Sequence, residues 1–263
     1  LKPDPVDYIR QGWQLLDGSH ARLQRAGAEQ RQRDVDPYLQ PEGVQRVLDL
    51  ANGRLRPQYT ILKALGFQVC GVDLANRTPR TWSEAAWSVA RWLYARRLGL
   101  APKAAGALVR ADAALLPFRD GAFDLVTSVA AFEHFLDVPG VVAEVARVLR
   151  PGGVVWAAIH LFASLSGAHN LNATLTPLRN VPPNVQPWDH LRQRRLPLYV
   201  ALNGWHRDQY VEAFGSHLEV VKHYCRSREG EHLLTPTIEA EMPAYARDEL
   251  TCRTYVIVAR KPV

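Results

Sequence analysis

Several things this 263-residue sequence lacks narrow its class before any motif is read. No stretch approaches the roughly 18 to 20 consecutive apolar residues that a membrane-spanning helix requires. The opening LKPDPVDYIRQGW has no apolar core of the kind that marks a signal peptide. A soluble, cytoplasmic protein is the expectation. Cysteine is scarce: Cys70, Cys225 and Cys252 are far apart, odd in number and form no C-x-x-C pair. That argues against a disulfide framework and against a zinc site, and favours a reducing compartment. The net charge of +6 is spread along the chain instead of gathered into one dense block, so composition supplies no nucleic-acid-binding surface.

What is present begins at Val44–Ala75, VQRVLDLANGRLRPQYTILKALGFQVCGVDLA. Arg46 to Ala51 carries the near-continuous apolar run of a buried parallel strand, with Val47, Leu48 and Leu50. Asn52, Gly53 and Arg54 make a turn. Pro57 suits the first turn of a helix, where its missing N–H is no loss. That helix carries Tyr59, Ile61, Leu62 and Leu65 and stops at Gly66. Phe67 to Leu74 is a second strand, and Asp73 near its end lies 20 positions after Gly53. A glycine lets backbone approach a ligand, and a carboxylate at the next strand tip accepts hydrogen bonds from ribose hydroxyls. This βαβ spacing serves NAD, FAD and S-adenosylmethionine alike.

Before this unit, residues 1–43 read as a helical cap: Ile9, Trp13, Leu15 and Leu16 suggest a short helix, and Arg22 to Arg33 a solvated one. Tyr8, Arg10 and Tyr38 either reach a ligand or simply pack. After it, residues 76–104 form an insertion. Thr81 and Glu84 have capping-box spacing and Gly99 ends the segment, predicting a helix over 82–98. Trp82, Ala86, Val89 and Leu93 share one face of it. Such a face packs on the sheet, on a second copy in a homodimer, or on a membrane surface. Ala107 to Asp112 and Phe123 to Ser128 read as strands, 139–149 as a helix, and VVWAAIHL after Pro151, Gly152 and Gly153 as a fifth strand.

VLDLANG, VCGVDL, RADAALLPFRDGAFDLV, FEHF and VLRPGG, in this order over about residues 44–161, resemble the class I S-adenosylmethionine-dependent methyltransferases, and among them the methyltransferase type 11 group. The resemblance implies an α/β fold: a doubly wound, seven-stranded Rossmann-like sheet, mostly parallel with the last strand antiparallel, and helices on both faces. One domain would span 44–263, with insertions at 76–104, 162–205 and 227–248. S-adenosylmethionine is the implied cofactor. Asp49 and Gly53 would shape the loop under its methionine part, Asp73 would hold the ribose, and Asp112 with the Ala113 backbone would bind adenine. The carbonyls around Ser128 and Val129 would face the methionine ammonium, and Ala51, Asn52 and Leu74 complete the set. Asp124 looks like a structural strand-entry residue. The family loop D-x-G-x-G-x-G here reads Asp49-x-Ala51-x-Gly53-x-Leu55. Ala51 is a mild change, whereas Leu55 must turn its side chain away and cannot easily take a positive φ. Asn52 or Arg54 is then the expected contact for the methionine carboxylate.

The Pro-punctuated segment 162–205 follows the fifth strand and reads as a substrate lid. Four histidines are candidate bases for a hydroxyl acceptor, in the order His160, His134, His169, His190, with Glu133 a weaker one of the same kind. Arg192, Arg194 and Arg195 either grip an acidic acceptor group or form a solvated loop. No metal-ligand set is readable. Neither an NPPY-type motif nor a Pro-Cys nucleophile is present, so nucleic-acid methylation is not expected. The expected activity is O-methylation of a small-molecule or sugar-like acceptor. Two alternatives stay open: a non-catalytic cofactor-binding descendant with a degenerate loop, and a nicotinamide-dependent oxidoreductase. The latter explains neither ADAALLPF nor LRPGG.

Overall fold

The computed structural model describes residues 18–39, 45–74, 76, 82–100, 107–169, 185–198 and 200–263. The readings made for Tyr8, Arg10 and the helix around Trp13, and for Thr81 as a capping residue, lie outside them.

A single seven-stranded sheet runs through the chain in the order β3-β2-β1-β4-β5-β7-β6. Its strands are β1 (Arg46–Leu50), β2 (Gln68–Val72), β3 (Ala107–Val109), β4 (Phe123–Val129), β5 (Leu149–His160), β6 (Glu219–Arg228) and β7 (Cys252–Arg260). β1 to β5 pair in parallel, and β7 inserts antiparallel between β5 and β6. This is the mostly parallel arrangement with an antiparallel last strand that the resemblance implied. The parallel strands are apolar because both faces are covered: every residue of β5 from Gly153 to Ile159 is buried.

The helices show how the sequence meets that demand. Among the described residues these are α1 (Ser19–Val35), α2 (Pro57–Ala64), α3 (Trp82–Arg97), α4 (Val138–Val148), α5 (Arg207–Gly215) and two one-turn helices, α6 (Pro236–Ala240) and α7 (Arg247–Thr251). In α4, Val141, Val142, Val145 and Val148 are buried together, the spacing of a single apolar stripe. Asp137 starts it by accepting the Gly140 amide at 2.9 Å. At the other end of β4, Asp124 accepts the Arg46 amide at 2.7 Å and the Arg150 guanidinium at 2.6 Å. Burial pushes the Asp124 carboxyl up, but these hydrogen bonds outweigh it and its pKa ends below the usual value. Its structural reading therefore stands.

Four expectations are corrected. The segment Arg22 to Arg33 is not a solvated helix: Ala21, Gly27, Ala28, Arg31, Asp34 and Val35 of α1 are buried. Asp34 docks α1 onto the sheet, accepting from Trp156 Nε1 at 3.0 Å, Lys222 Nζ at 2.7 Å and the Tyr224 hydroxyl at 2.6 Å. Second, Cys225 and Cys252 form a disulfide, with Cα atoms 5.7 Å apart. The antiparallel pairing of β6 with β7 brings together two cysteines 27 positions apart, and the argument for a reducing compartment loses its premise. Third, Arg192 is no free anion binder, because Glu241 holds it through two hydrogen bonds of 2.9 and 2.7 Å. Fourth, β3 ends at Val109, short of Asp112.

The described part of the 162–205 segment does not hang free. Trp188, 1% exposed, packs with Leu165, Leu234, Met242 and Leu250 in a small core of its own, tying this segment to residues 227–250. Of the helix 82–98, Tyr94 and Leu98 pack against α1 and α2, while Val89, Trp92 and Leu93 remain exposed. No helix among the described residues is long and apolar enough to cross a membrane.

Removing the Asp34 carboxylate leaves a buried indole N–H and a Lys222 ammonium unpaired. Asp34→Ala is expected to cost about 2–4 kcal/mol in urea unfolding, whereas substitution of the exposed Leu23 on the same helix should cost almost nothing.

Candidate functional site

Parallel pairing places the strand ends on one edge. Leu50 is level with Val72 and Ser128, and Val72 with Val109. The residues that follow, Ala51 to Gly53, Asp73, Asp112 and Val129, therefore share the carboxyl edge, with β1 at the point where the strand order reverses. Open α/β sheets bind ligands there.

Gly53, with φ +63, turns the chain at the edge, and a Cβ built on it meets nothing within 4 Å. Its amide donates to Asp73 Oδ2 at 2.8 Å. One carboxylate oxygen thus fixes the loop, a contact that the 20-residue spacing did not announce. The loop's conformational cost sits elsewhere than expected. Ala51 and Arg56 have φ of +56 each, while Leu55 does not enter the left-handed region. Leu55 turns into the small core of Ile61, Tyr94 and Leu98. The change from glycine is thus strained at Ala51, where a methyl in the left-handed region is unfavourable, and harmless at Leu55, which gains packing.

Polar groups crowd beneath this loop. Asn52 is buried with its Nδ2 unpartnered, and its Oδ1 accepts from Asn76 Nδ2 at 3.2 Å. Asn76 also reaches the Val109 carbonyl at 2.9 Å, tying β1 to β3. Sequence reading missed Asn76, an unremarkable polar residue until the fold buries it. Burial pushes the Asp49 carboxyl up to about 7, with the Arg31 guanidinium pulling the other way. Arg31 was also missed, since it was assigned to a solvated face. Arg54, the alternative carboxylate contact, is exposed and gives its carbonyl to Arg91 at 3.0 Å.

Further along the edge, Asp112 Oδ1 accepts the Ala114 amide at 3.0 Å beside the buried Ala113, and Leu74 is largely exposed. Ser128 is buried with an unpartnered hydroxyl. Val129 and His160 border a cavity of about 210 Å³ that also includes Ala130, Trp156, Arg226 and Arg253. A larger cavity of about 280 Å³ between α1, α2 and residues 98–100 touches none of these residues.

Beyond β4 the chain forms one 3₁₀ turn, Phe132–His134, against the end of β5. The rings of His134 and His160 each approach that of His169, with centroids 4.8 and 4.5 Å away. Glu133 is fully buried beneath them. Burial pushes its carboxyl up to about 8, although the nearby backbone amides of Glu133 and His160 oppose this. Burial, with the neighbouring His134 and Arg253, lowers His169 to about 4; burial first and His169 second hold His160 well below its usual value. His134 Nδ1 donates to the Ala201 carbonyl at 2.9 Å, leaving Nε2 as the lone-pair nitrogen. His160 Nε2 meets Ser166 Oγ at 2.8 Å. His190 stands apart, bonded to the Phe162 carbonyl at 2.7 Å. The structure thus brings three of the four candidate histidines together.

A family model described as a methyltransferase domain matches residues 48–157. The demethylmenaquinone methyltransferase of Thermus thermophilus is 37% identical over 135 residues, covering 50% of this chain and 55% of that protein. The chloroplastic tocopherol O-methyltransferase of Arabidopsis thaliana is 26% identical over 207 residues, covering 78% and 53%. Geranyl diphosphate C-methyltransferase from Streptomyces coelicolor, crystallised with Mg2+, geranyl diphosphate and S-adenosyl-L-homocysteine, superposes with a TM-score of 0.55 at 17% identity. The superposition covers 92% of this chain and 80% of that one. Together these likenesses support a class I S-adenosylmethionine-dependent methyltransferase. The part of the chain that matches the methyltransferase domain model runs from Leu48 in β1 to Ala157 in β5. The chain spans about half the length of these two curated relatives.

Two measurements check the site's physics. Ala51→Gly relieves a left-handed alanine worth roughly 1–2 kcal/mol but loosens the unfolded chain by about 0.4–1 kcal/mol, so a net gain of about 0–1.6 kcal/mol is expected in chemical denaturation. Leu55→Gly, which restores the family pattern, should instead lower stability through lost packing. The second measurement concerns Glu133, which ionises near pH ~4.3 in the unfolded chain and only near about 8 when folded. Between those values the folded state holds the extra proton, so its contribution to stability falls as pH rises. In chelator-containing buffer, Glu133→Gln should match the parent below about pH 4 and gain on it progressively up to about pH 8.

Proposed function

We propose that this chain transfers a methyl group from S-adenosylmethionine to a small-molecule acceptor, with oxygen as the methylated atom. The observation that carries the reading is the edge itself: Asp73 locked to the Gly53 amide, with a lone-pair histidine nitrogen beyond the end of β4. The residues present fit the cofactor. Asp73 stands at the carboxyl end of β2, where a carboxylate can accept ribose hydroxyls, and Asn52 Nδ2 and Ser128 Oγ are buried polar atoms without protein partners, suited to its methionine end. Asp112 and the Ala113 backbone would take the adenine.

S-adenosylmethionine, when bound, supplies an electrophilic methyl on a sulfonium. The chain's own task is to orient the acceptor, exclude water and remove a proton. His134 is the better placed base: its Nδ1–H is held by a carbonyl, so Nε2 is free to take a hydroxyl proton. His160 and His169, whose burial makes them weakly basic, serve less well in that role, contrary to the order read from sequence. The lid reading of 162–205 rests on its place after β5 and on His169 within it.

Relatives are named as methyltransferases acting on demethylmenaquinone, sterol carbon 24 and tocopherol oxygen, so likeness alone does not choose oxygen over carbon. The choice of oxygen rests on His134. A homodimer would use the exposed Val89, Trp92 and Leu93 of α3 as its apolar face.

S-adenosylhomocysteine should raise the melting temperature of the protein, and Asp73→Ala should weaken its binding at least tenfold. Absence of any stabilisation would overturn the cofactor reading, whereas stabilisation without turnover would favour the non-catalytic cofactor-binding alternative. With a hydroxyl acceptor, His134→Ala should lower kcat by about 10²–10⁴-fold while leaving S-adenosylhomocysteine binding intact. An unchanged kcat would remove His134 from the mechanism.

A further inference from the structure

The acceptor side holds three side chains that methyl transfer by itself leaves without a task. Glu133, at the start of the turn after β4, His160, the last residue of β5, and His169, in the loop that follows, each offer one donor atom, and the three atoms lie within 4.8 Å of one another. Glu133 is fully buried, and neither of its oxygens has a hydrogen-bond partner. His169 Nε2, also buried and without a hydrogen bond, lies 3.7 Å from Glu133 Oε1. A buried carboxyl group without a hydrogen-bond partner beside a buried, unpartnered imidazole nitrogen is an expensive arrangement unless a ligand such as a cation completes it.

Neighbouring hydrogen bonds fix the tautomer of His160. Glu229 Oε1 accepts from the Ser166 amide at 2.7 Å and from Ser166 Oγ at 2.6 Å. With its proton given to Glu229, Ser166 Oγ can only accept from His160 Nε2, 2.8 Å away. His160 Nε2 therefore carries the hydrogen and Nδ1 the lone pair. A carboxylate that fixes a histidine tautomer through its far nitrogen is what supports metal-ligating imidazoles. His169 is held in the left-handed region, with φ +52, in a loop tightened by its amide N–H donating to the Ser166 carbonyl at 3.0 Å. Gly167 in that loop leaves no room for a side chain, since a Cβ there would fall 2.1 Å from the Phe162 carbonyl oxygen. The backbone is committed to placing His169 over Glu133. Metal bonds of about 2.0–2.1 Å set ligand atoms roughly 3.3 Å apart, so the 3.7 Å pair is nearly in place and side-chain rotation can close the rest.

We propose that Glu133, His160 and His169 form a binding site for a divalent first-row transition metal ion. Two imidazoles and one carboxylate suit zinc and non-haem iron(II), and leave coordination positions open. The site stands independently of methyl transfer. Only its role rests on that reading: the open positions suit an acceptor that presents a hydroxyl beside a second oxygen donor.

The test uses the full chain, dialysed against a chelator and titrated with Co2+ and, in competition, Zn2+. One equivalent of Co2+ should bind with a visible absorption spectrum, be displaced by Zn2+, and raise the melting temperature. Glu133→Gln and His169→Ala should weaken Co2+ binding at least 100-fold. Glu133→Gln keeps the test decisive, because removing the unpartnered carboxylate should leave the metal-free protein as stable as the parent or more so. No stoichiometric binding by the parent, or parent-like Co2+ affinity and spectrum in folded Glu133→Gln, would overturn the site. S-adenosylhomocysteine binding, measured separately, keeps the two readings apart. Its absence alongside intact Co2+ binding sinks methyl transfer and leaves the metal site standing.

Discussion

The parallel register that sets Leu50 level with both Val72 and Ser128 is the constraint on which the other features rest. A parallel sheet must bury both faces, so its strands are apolar and its polar residues are pushed to the ends. In this chain the carboxyl ends gather Asp73, Asn52, Ser128 and, one strand further, His160. The Gly53–Asp73 hydrogen bond then converts a flexible turn into a fixed rim. A slip of one residue in β1 against β4 would reverse which side chains face the core and dissolve both halves of the site.

Around that edge the protein tolerates groups that its interior would ordinarily reject. Asn52 Nδ2, Ser128 Oγ, the Glu133 oxygens and His169 Nε2 are all buried without protein partners, against the strong tendency of buried polar atoms to be satisfied. They fall into two groups, one beneath the β1 loop and the edge of β4, the other beyond the ends of β4 and β5. The first matches what an S-adenosylmethionine-binding edge needs, the second what a cation needs. Asp34, buried on the other side of Trp156, is fully satisfied and is a purely structural clamp.

Much of this was legible in the residues. The apolar runs of β1, β4 and β5, Pro57 opening α2, and Asp73 at its fixed distance from Gly53 are all local consequences of backbone geometry, and the ordered motifs from Asp49 to Gly153 located the methyltransferase edge. Less legible was anything requiring two distant segments to meet. Arg22 to Arg33 read as solvated because charge was counted without the sheet face that α1 covers. The Cys225–Cys252 pair was passed over because the β6–β7 pairing, not sequence spacing, brings the two together. Leu55 looked like the difficult loop residue because its partners Ile61, Tyr94 and Leu98 come from two later helices and the residue after the second.

The sequence by itself determined the fold class, the strand edge and the residues of the β1 and β2 tips, because strand and turn preferences act over a few residues and the motif order is linear. Tertiary structure decided the rest: that the left-handed strain falls on Ala51, that Arg192 is spent on Glu241, and that Glu133 and His169, 36 positions apart, share one buried space. Burial and pairing are properties of segments brought together across the chain, and no short window of sequence contains them.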